Sequence, residues 1–187
     1  DANTPHELLV ATILSAQATD VGVNKATPGL FAAFPTPADF AAASPEAIAP
    51  HLRTLNFWRN KSKSVHGAMT MLVEQHDGAV PDDMESLLAL PGVARKTANV
   101  VLGNAFAINV GVVVDTHVGR ISQRFGLTTE TDPKRIEPHL MALFPRPSWC
   151  LLSHLFIFHG RKVCKARGGT CADDAICRRY CSNAVAD

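Results

Sequence analysis

Apolar side chains along most of the chain recur at the three- and four-residue intervals of an α-helix. In the stretch KSKSVHGAMTMLVEQH the apolar positions include Val65, Met69, Leu72 and Val73. This spacing places the four side chains on one face of a helix. No segment of useful length alternates between apolar and polar residues in the manner of a β-strand, so the pattern predicts an all-α protein of about ten short helices.

Polar residues suited to the start of a helix precede several of the short apolar segments. Thr36, Ser44 and Asp83 are examples, and their side chains can accept hydrogen bonds from the free N–H groups of a first helical turn. Further helices are predicted at 115–124, 133–144 and 148–159. From Gly160 onward the apolar spacing stops, so the last part of the chain needs another means of holding its shape.

The composition indicates a globular protein with a sizeable core. Of the 187 residues, 47% are hydrophobic and 19% are charged, and the formal net charge is +1. This length fits one domain or two small ones, and the net charge does not by itself indicate a polyanionic partner. Basic residues nevertheless cluster in LRTLNFWRNKSKS, which includes Arg59 and Lys61, and in GRKVCKARGG. Each cluster is either a solvated face or a contact for phosphates.

The uncharged run Thr97–Val114 is long enough to suggest a membrane span. It contains Asn99, Asn104, Asn109 and two glycines, which favours a helix, a turn and a buried strand-like segment of a soluble protein. The start DANTPHELL lacks a basic stretch before an apolar run, so no secretory leader is expected. We therefore expect a cytoplasmic protein with no membrane partner.

Four of the five cysteines lie in the tail that lacks the helical pattern. Their spacing is C-x6-C-x5-C-x3-C, at Cys164, Cys171, Cys177 and Cys181. In a chain expected inside the cell, such cysteines are metal ligands or free thiols more often than disulfides. Cys150 lies upstream in an apolar segment and is interpreted as a buried small hydrophobic residue.

A Pro-Gly turn between two short helical segments is the first motif with chemical content. In LPGVARKTANVV, Gly92 permits a tight turn, and the next helix would present free N–H groups at its start. Such a helix start can bind a phosphate without any side chain. An ordinary helical hairpin would show the same pattern, so the turn alone does not decide between the two.

Together with three other segments, this turn resembles a known family. LPGVARKTANVV is similar to the helix-hairpin-helix motif of base-excision DNA glycosylases, and specifically to that of endonuclease III. SAQATD, VDTHVGR and HGR resemble that family too, in order and at similar spacing, so the resemblance covers nearly the whole chain from Thr4. One departure is Ala94, which takes the place of the second glycine and is expected in a helical conformation.

The resemblance implies a fold and an activity. Residues 1–109 would form a helical barrel domain with the helix-hairpin-helix motif, and residues 110–187 a second helical lobe with an iron–sulfur cluster loop. The implied function is a bifunctional DNA glycosylase and AP lyase that removes oxidised pyrimidines in base excision repair. The expected partner is double-stranded DNA with a damaged pyrimidine or an abasic site, bound by a monomer at the nucleoid.

Lys96 and Asp115 are the catalytic residues that the resemblance implies. Lys96 would attack C1′ as a neutral amine, since the helix start and neighbouring Arg95 disfavour its charged form and burial would act in the same direction. Asp115 would stabilise positive charge at the sugar and assist proton transfers. The alternatives are a surface lysine that binds phosphate and an aspartate that only caps a helix.

Two loops are interpreted as wedges that fill the gap left by an extruded base. The resemblance implies that Gln17 inserts into the base stack and that Phe57 takes the place of a leucine in a second wedge. Trp58 stands beside Phe57, and Arg59 and Lys61 would contact phosphates. Alternatively, the two aromatic residues belong to the core. The hairpin residues expected at the DNA are Leu90, Gly92, Ala94, Arg95 and Thr97.

The tail resembles the family's cluster loop only in part. Endonuclease III relatives usually carry C-x6-C-x2-C-x5-C around a 4Fe-4S cluster, whereas here Asp174 occupies the third position and Cys181 follows later. The expected cofactor is still a 4Fe-4S cluster, because the loop is poor in apolar residues. Its ligands would be Cys164, Cys171, Cys177 and Cys181. Zinc and free thiols are the alternatives.

Three other functions fit parts of this pattern. A helix-hairpin-helix module could bind DNA without chemistry, and an AP lyase could have little glycosylase activity. An adenine glycosylase of the same superfamily normally has another residue at the position of Lys96, so Lys96 argues against it. The presence of both Lys96 and Asp115 favours the bifunctional enzyme.

Overall fold

A computed structural model of the protein describes residues 2–167 and 171–181. The regular elements in these two ranges are all helices, as the hydrophobic pattern predicts. The α-helices are α1 (Pro5–Leu14), α2 (Asp20–Ala33), α3 (Pro37–Ala42), α4 (Pro45–Leu52), α5 (Trp58–Gln75), α6 (Met84–Ala89), α7 (Arg95–Ala105), α8 (Thr116–Arg124), α9 (Pro133–Leu143), α10 (Trp149–Lys162) and α11 (Ala175–Tyr180). Single 3-10 turns occur at Arg146–Ser148 and Cys171–Asp173.

The helix starts predicted from polar residues are confirmed. The side chains of Thr36, Ser44 and Asp83 each accept a hydrogen bond from the backbone N–H three residues later, at 3.2, 3.3 and 2.8 Å. These bonds satisfy donors that a helix leaves without an internal partner. Thr4 does the same for α1, and the Glu7 side chain bonds back to the Thr4 backbone.

The chain divides into two compact units, Asp1–Ile108 and Asn109–Asp187. The division falls one residue before the boundary expected from the sequence. Asn109 explains the difference through its bonds within the second unit. Its carbonyl accepts from Nε of Arg146 at 2.7 Å, and its Oδ1 accepts from the N–H of Cys150 at 3.0 Å.

The long helix α5 organises the first unit. It packs against α1, α3 and α4, while α7 packs against α1 and α6. Val65, Met69 and Leu72 are fully buried on α5, but Val73 is exposed. Three of the four residues that the spacing places on one face are therefore core residues. Val73 is not, because the buried face of the helix is narrower than its apolar face.

The second unit is built on α8, α9 and α10. Its larger apolar core consists of Val112, Val114, Val118, Ile136, Leu140, Trp149 and Leu152. The expected strand-like segment is buried at residues 112–114 but joins no sheet in the described part of the chain. The N–H of Val113 instead donates to Oγ of Ser153 at 3.0 Å. Within residues 2–167 and 171–181, no helix has both the length and the apolar character needed to cross a membrane.

The hairpin between α6 and α7 depends on a glycine that touches α5. Gly92 has φ +78°, a left-handed conformation that side chains disfavour. A Cβ added at Gly92 would lie 2.7 Å from Cβ of Ser64. Both the backbone conformation and the close approach to Ser64 therefore require glycine at this turn.

We expect Gly92→Ala to lower the free energy of unfolding by about 3 kcal/mol, with ~1 from the left-handed backbone and ~2 from the clash. Gly78→Ala is the matched control, because Gly78 has φ +76° and nothing within 4 Å of an added Cβ. It should lower the free energy of unfolding by only ~1 kcal/mol. Urea unfolding followed by circular dichroism measures both variants. Equal losses would show that the contact with Ser64 does not constrain the turn.

Candidate nucleic-acid interface and cysteine centre

The start of α7 is a helix terminus without a capping side chain. Ala94 precedes the helix with φ −96° and ψ 169°, and its side chain makes no capping bond. The expected helical conformation at Ala94 is therefore wrong, and the extended one found here is open to any residue. Alanine in place of a glycine causes no backbone strain. The first turn of α7 presents its N–H groups and the positive end of the helix dipole.

Lys96 stands in that first turn and is exposed to solvent. The burial expected to favour its neutral form is thus not present in this structure. The neighbouring Thr97 is buried, as is Leu90 at the end of α6. A phosphate at the hairpin could meet Leu90 and Thr97 only through their backbone groups, whereas the Lys96 amine is free to reach a ligand.

Asp115 caps α8, as the plainer interpretation of its position predicts. Its Oδ1 accepts hydrogen bonds from the N–H groups of His117 and Val118, at 2.9 and 2.8 Å. These two bonds hold the carboxylate in one orientation at the start of the helix. Capping and a chemical role are compatible here, because both bonds go to one of the two carboxylate oxygens.

Arg120 joins α8 to the end of α10. Its Nε and Nη2 donate to the carbonyl of Cys164 at 3.1 and 2.9 Å, and Nη2 also donates to the carbonyl of Gly160 at 3.1 Å. Nδ1 of His117 lies 3.1 Å from the same Nη2. A Cβ on Gly160 would lie 2.8 Å from Nδ1 of His117. The arginine of VDTHVGR and the glycine of HGR are therefore adjacent in space.

The sulfur-bearing side chains of the tail converge beside this junction. Cys164, Cys177 and Cys181 are buried around Ile121, and the partly buried Cys171 packs against them. His159 approaches the same group, with Nε2 3.2 Å from Sγ of Cys177. The ligand atoms of His159, Cys164 and Cys177 all lie within 4.8 Å of one another.

The environment of Cys171 and Cys177 opposes the ionisation of these two thiols. Burial, together with the neighbouring Cys171 thiol, raises the pKa of Cys177. Burial and the proximity of Cys164 likewise raise the pKa of Cys171. Nη1 of Arg124 donates to Sγ of Cys164 at 3.1 Å, and this bond raises the pKa of Arg124.

Asp174 holds the helix that carries one of these cysteines. Its Oδ1 accepts from the N–H of Cys177 at 2.9 Å at the start of α11. This bond is the main cause of the lowered pKa of Asp174. The carboxylate therefore orients α11 at the position where the family usually has a cysteine. Sequence reasoning missed this role, although an aspartate before a short helical segment was the available signal.

The two loops interpreted as wedges lie together in the first unit. Gln17 and Phe57 have φ 52° and 57°, and both are exposed, Phe57 by 60%. Nδ2 of Asn56 lies 3.5 Å from the carbonyl of Gln17 and connects the loops. Phe57 is therefore not a core residue. Trp58 is half-buried, and Cζ of the Arg59 guanidinium lies 4.1 Å from the centroid of its ring.

Lys61 differs from the expectation of a phosphate contact at the surface. Its side chain is only 6% exposed and is enclosed in the first unit. Lys61 lies one helical turn beyond Phe57, on the face of α5 that carries the buried Val65. The cluster of basic residues in the sequence did not reveal that Lys61 is buried. Successive residues of a helix point in different directions, so only some residues of the cluster face solvent.

Comparison with known proteins shows which family combines a hairpin, a capping aspartate and a cysteine-rich tail in one chain. The sequence model of the family described as "HhH-GPD superfamily base excision DNA repair protein" matches residues 10–146. Endonuclease III from Synechocystis sp. is 54% identical over 173 residues, which cover 92% of this chain and 79% of the relative. The chain belongs to the endonuclease III family. The similarity is therefore not confined to the four segments of the resemblance, since the alignment covers 92% of the chain.

Solved structures of endonuclease III agree with this membership. A non-covalent endonuclease III–DNA complex has a TM-score of 0.92 and 38% identity, over 98% of this chain and 86% of the other. A trapped endonuclease III–DNA covalent intermediate, described as an estranged-adenine complex, gives the same values. The all-helical fold inferred from the sequence is therefore that of endonuclease III.

We expect Arg120→Met to lower the free energy of unfolding by about 2–3 kcal/mol, because the carbonyls of Gly160 and Cys164 lose a charged donor. Arg135→Met is the control. Arg135 is 69% exposed and bonds Glu130 at 2.7 Å, so its loss should cost less than ~1 kcal/mol. Urea unfolding of both variants measures the difference. Equal effects would mean that the junction between α8 and α10 does not depend on Arg120.

Proposed function

We propose that this chain removes oxidised pyrimidines from DNA as a bifunctional DNA glycosylase and AP lyase, with Lys96 as the nucleophile. The observation that carries the assignment is the exposed Lys96 amine at the uncapped start of α7, in a chain whose relatives include an endonuclease III trapped covalently on DNA. A backbone phosphate bound at this helix start would bring the neighbouring sugar toward the amine.

The reaction follows from the chemistry of a neutral amine. Nζ of Lys96 forms a bond to C1′ while the bond from C1′ to the base breaks, and the base leaves with the electron pair and takes up a proton. Opening of the sugar ring gives an imine between Nζ and C1′. The imine makes the C2′ proton acidic, and removal of that proton expels the 3′ phosphate, which cuts the strand.

Asp115 serves as the charged partner in this scheme. Two backbone N–H groups hold its Oδ1, so the carboxylate keeps its direction when DNA binds. A carboxylate fixed in this way stabilises the positive charge that develops at the sugar and the iminium. The same group can accept and return protons as the base departs.

The first unit provides the contacts that hold DNA open. The exposed Gln17 and Phe57 enter the duplex where the damaged base is extruded, and Arg59 stacked on Trp58 contacts a phosphate. The hairpin backbone around Gly92 binds the damaged strand. The enzyme acts as a monomer on nucleoid DNA in the cytoplasm.

A 4Fe-4S cluster is the cofactor that the cysteine centre suits best. Four thiols packed against one another match the ligand set of such a cluster, and metal binding would replace the protons that burial retains on Cys171 and Cys177. When bound, the cluster would cross-link the end of α10 to α11. Arg124 would then donate to a ligand sulfur, and the basic loop after Lys162 would be shaped for the DNA backbone.

Borohydride trapping tests the nucleophile. Wild-type protein should form a covalent adduct with a duplex that carries thymine glycol, and Lys96→Gln should form none, because an amide nitrogen cannot give a reducible imine. Lys134→Gln, which removes an exposed lysine of α9, should react like the wild type. An adduct with Lys96→Gln would exclude Lys96 as the nucleophile.

Other outcomes of the trapping experiment separate the remaining functions. An adduct on an abasic site without one on thymine glycol would indicate an AP lyase that does not release this base. Absence of an adduct on both duplexes, with binding retained, would indicate a helix-hairpin-helix module without chemistry. The exposure of Lys96 is compatible with the DNA-binding module as well, since an exposed lysine can also bind phosphate.

Metal and sulfide analysis tests the cofactor. The purified protein should contain iron and acid-labile sulfide in equal amounts, whereas zinc without sulfide would indicate a four-thiolate zinc site. Cys181→Ser should lose most of the iron, because it removes a buried thiol of the centre. Cys150→Ser is the control, since Cys150 lies outside the cluster and should keep its full iron content. Full iron content in Cys181→Ser would exclude Cys181 as a ligand.

A further inference from the structure

His159 is a histidine of the second unit to which the proposed function assigns no role. It lies in the last turn of α10 and is half-buried. Its carbonyl accepts hydrogen bonds from the N–H groups of Val163 and Cys164, at 2.8 and 2.9 Å. The chain therefore turns directly from His159 to the first cysteine of the centre, and this turn keeps the histidine close to the thiols.

The ring of Phe125 limits the positions that the imidazole of His159 can adopt. The two ring centroids lie 5.8 Å apart, with an angle of 55° between the planes. Phe125 is itself held against Phe156 of α10, at 6.2 Å and nearly edge to face. Nε2 of the imidazole placed in this way lies 3.2 Å from Sγ of Cys177.

The length of this contact distinguishes a hydrogen bond from coordination of a shared metal ion. A histidine nitrogen and a cysteine sulfur on one tetrahedral ion, with bonds of about 2.1 and 2.3 Å, would stand ~3.6 Å apart. The observed 3.2 Å between Nε2 and Sγ is shorter and suits an N–H···S hydrogen bond. Four thiols, moreover, already complete the ligand set of the cofactor proposed above. Both arguments make His159 a neighbour of a ligand and not a ligand.

The chemistry of a metal-bound cysteine decides which atom donates. A sulfur that binds metal as a thiolate has no proton, so the proton of this hydrogen bond belongs to the imidazole. A neutral imidazole has one N–H and one acceptor nitrogen, and the contact selects the form with its proton on Nε2. Such a bond to an anionic acceptor is stronger than one between neutral groups.

The contact lies in the part of the centre where this chain departs from its family. Cys177 stands three residues beyond Asp174, which occupies the usual third cysteine position. Oδ1 of Asp174 accepts from the N–H of Cys177 at 2.9 Å, and His159 contacts the sulfur of the same residue. Two side chains therefore hold the backbone and the sulfur of the displaced cysteine.

We propose that His159 donates a hydrogen bond from Nε2 to the Cys177 sulfur of the bound cluster and thereby raises the reduction potential of the cluster. This inference rests on the 4Fe-4S cofactor of the proposed function and not on the chemistry at Lys96. An added electron increases the negative charge on the sulfur ligands, so a donor at one of them stabilises the reduced form. His159 acts through Cys177 and is a positioning residue.

Voltammetry of the iron-loaded protein measures the midpoint potential, since the electrode supplies and accepts the electron. His159→Phe keeps a ring against Phe125 and removes the donor. Its potential should fall by about 59 mV, the equivalent of tenfold in the equilibrium of a one-electron couple. His159→Gln carries an amide N–H donor and should recover most of this loss. His154→Phe is the control, because it changes an exposed histidine of the same helix and should keep the wild-type potential.

Iron and acid-labile sulfide are measured on each sample before its potential. A merely structural role of His159 would lower the iron content or the unfolding midpoint, but it would not change the potential of the protein that retains its cluster. Equal potentials of wild type and His159→Phe at equal iron content would overturn the inference and leave the cofactor standing. Absence of iron and sulfide from the wild-type protein would reject both.

Pulsed EPR of the reduced wild-type protein, labelled with nitrogen-15 in its histidines, decides the question if His159→Phe does not retain iron. We expect a weak coupling to one imidazole nitrogen, as transmitted through a hydrogen bond. A strong coupling would show that His159 coordinates iron directly and would overturn the inference. The absence of any coupling would overturn it as well.

Discussion

The close contact between the Gly92 turn and α5 is the constraint on which the first unit depends. Because Ser64 leaves no room for a side chain at Gly92, the turn sits directly on the helix and the start of α7 is held in place. That one contact positions the start of α7, with its uncapped N–H groups, against α5. Gly92 also lines, together with Lys61, a pocket of the first unit.

The second unit contains the cysteine-rich tail, a segment that has little apolar surface to hold it in place. Arg120 and Arg124 donate to the carbonyl and the sulfur of Cys164, and Asp174 caps the short helix that carries Cys177. The bonds from the two arginines connect α8, which Asp115 caps, to the cysteine centre. Loss of the centre would therefore disturb the contacts that hold α8 as well as the tail itself.

Sequence patterns were sufficient to predict features that depend on interactions between residues close together in the chain. The helix starts at Thr36, Ser44 and Asp83 follow from side chains that bond within their own first turn. Hydrophobic spacing located α5, but it did not show that Val73 is exposed, because the width of the buried face depends on the neighbouring helices. The short-range description of Ala94 as helical also failed. The direction in which the chain enters α7 is set by the packing of the hairpin.

The sequence by itself determined the family and the all-helical class, because both follow from ordered strings of residue types and from the hydrophobic period. It predicts Lys96, Asp115 and the four cysteines as site residues on the same strings. Tertiary structure decided which residues of these segments contact one another and which are buried or exposed. Arg59 and Lys61 are two residues apart in one basic cluster, yet one stacks on Trp58 at the surface and the other is buried without an acceptor. A helix turns by about 100° per residue, so adjacent charges experience solvent or core according to what packs against each face.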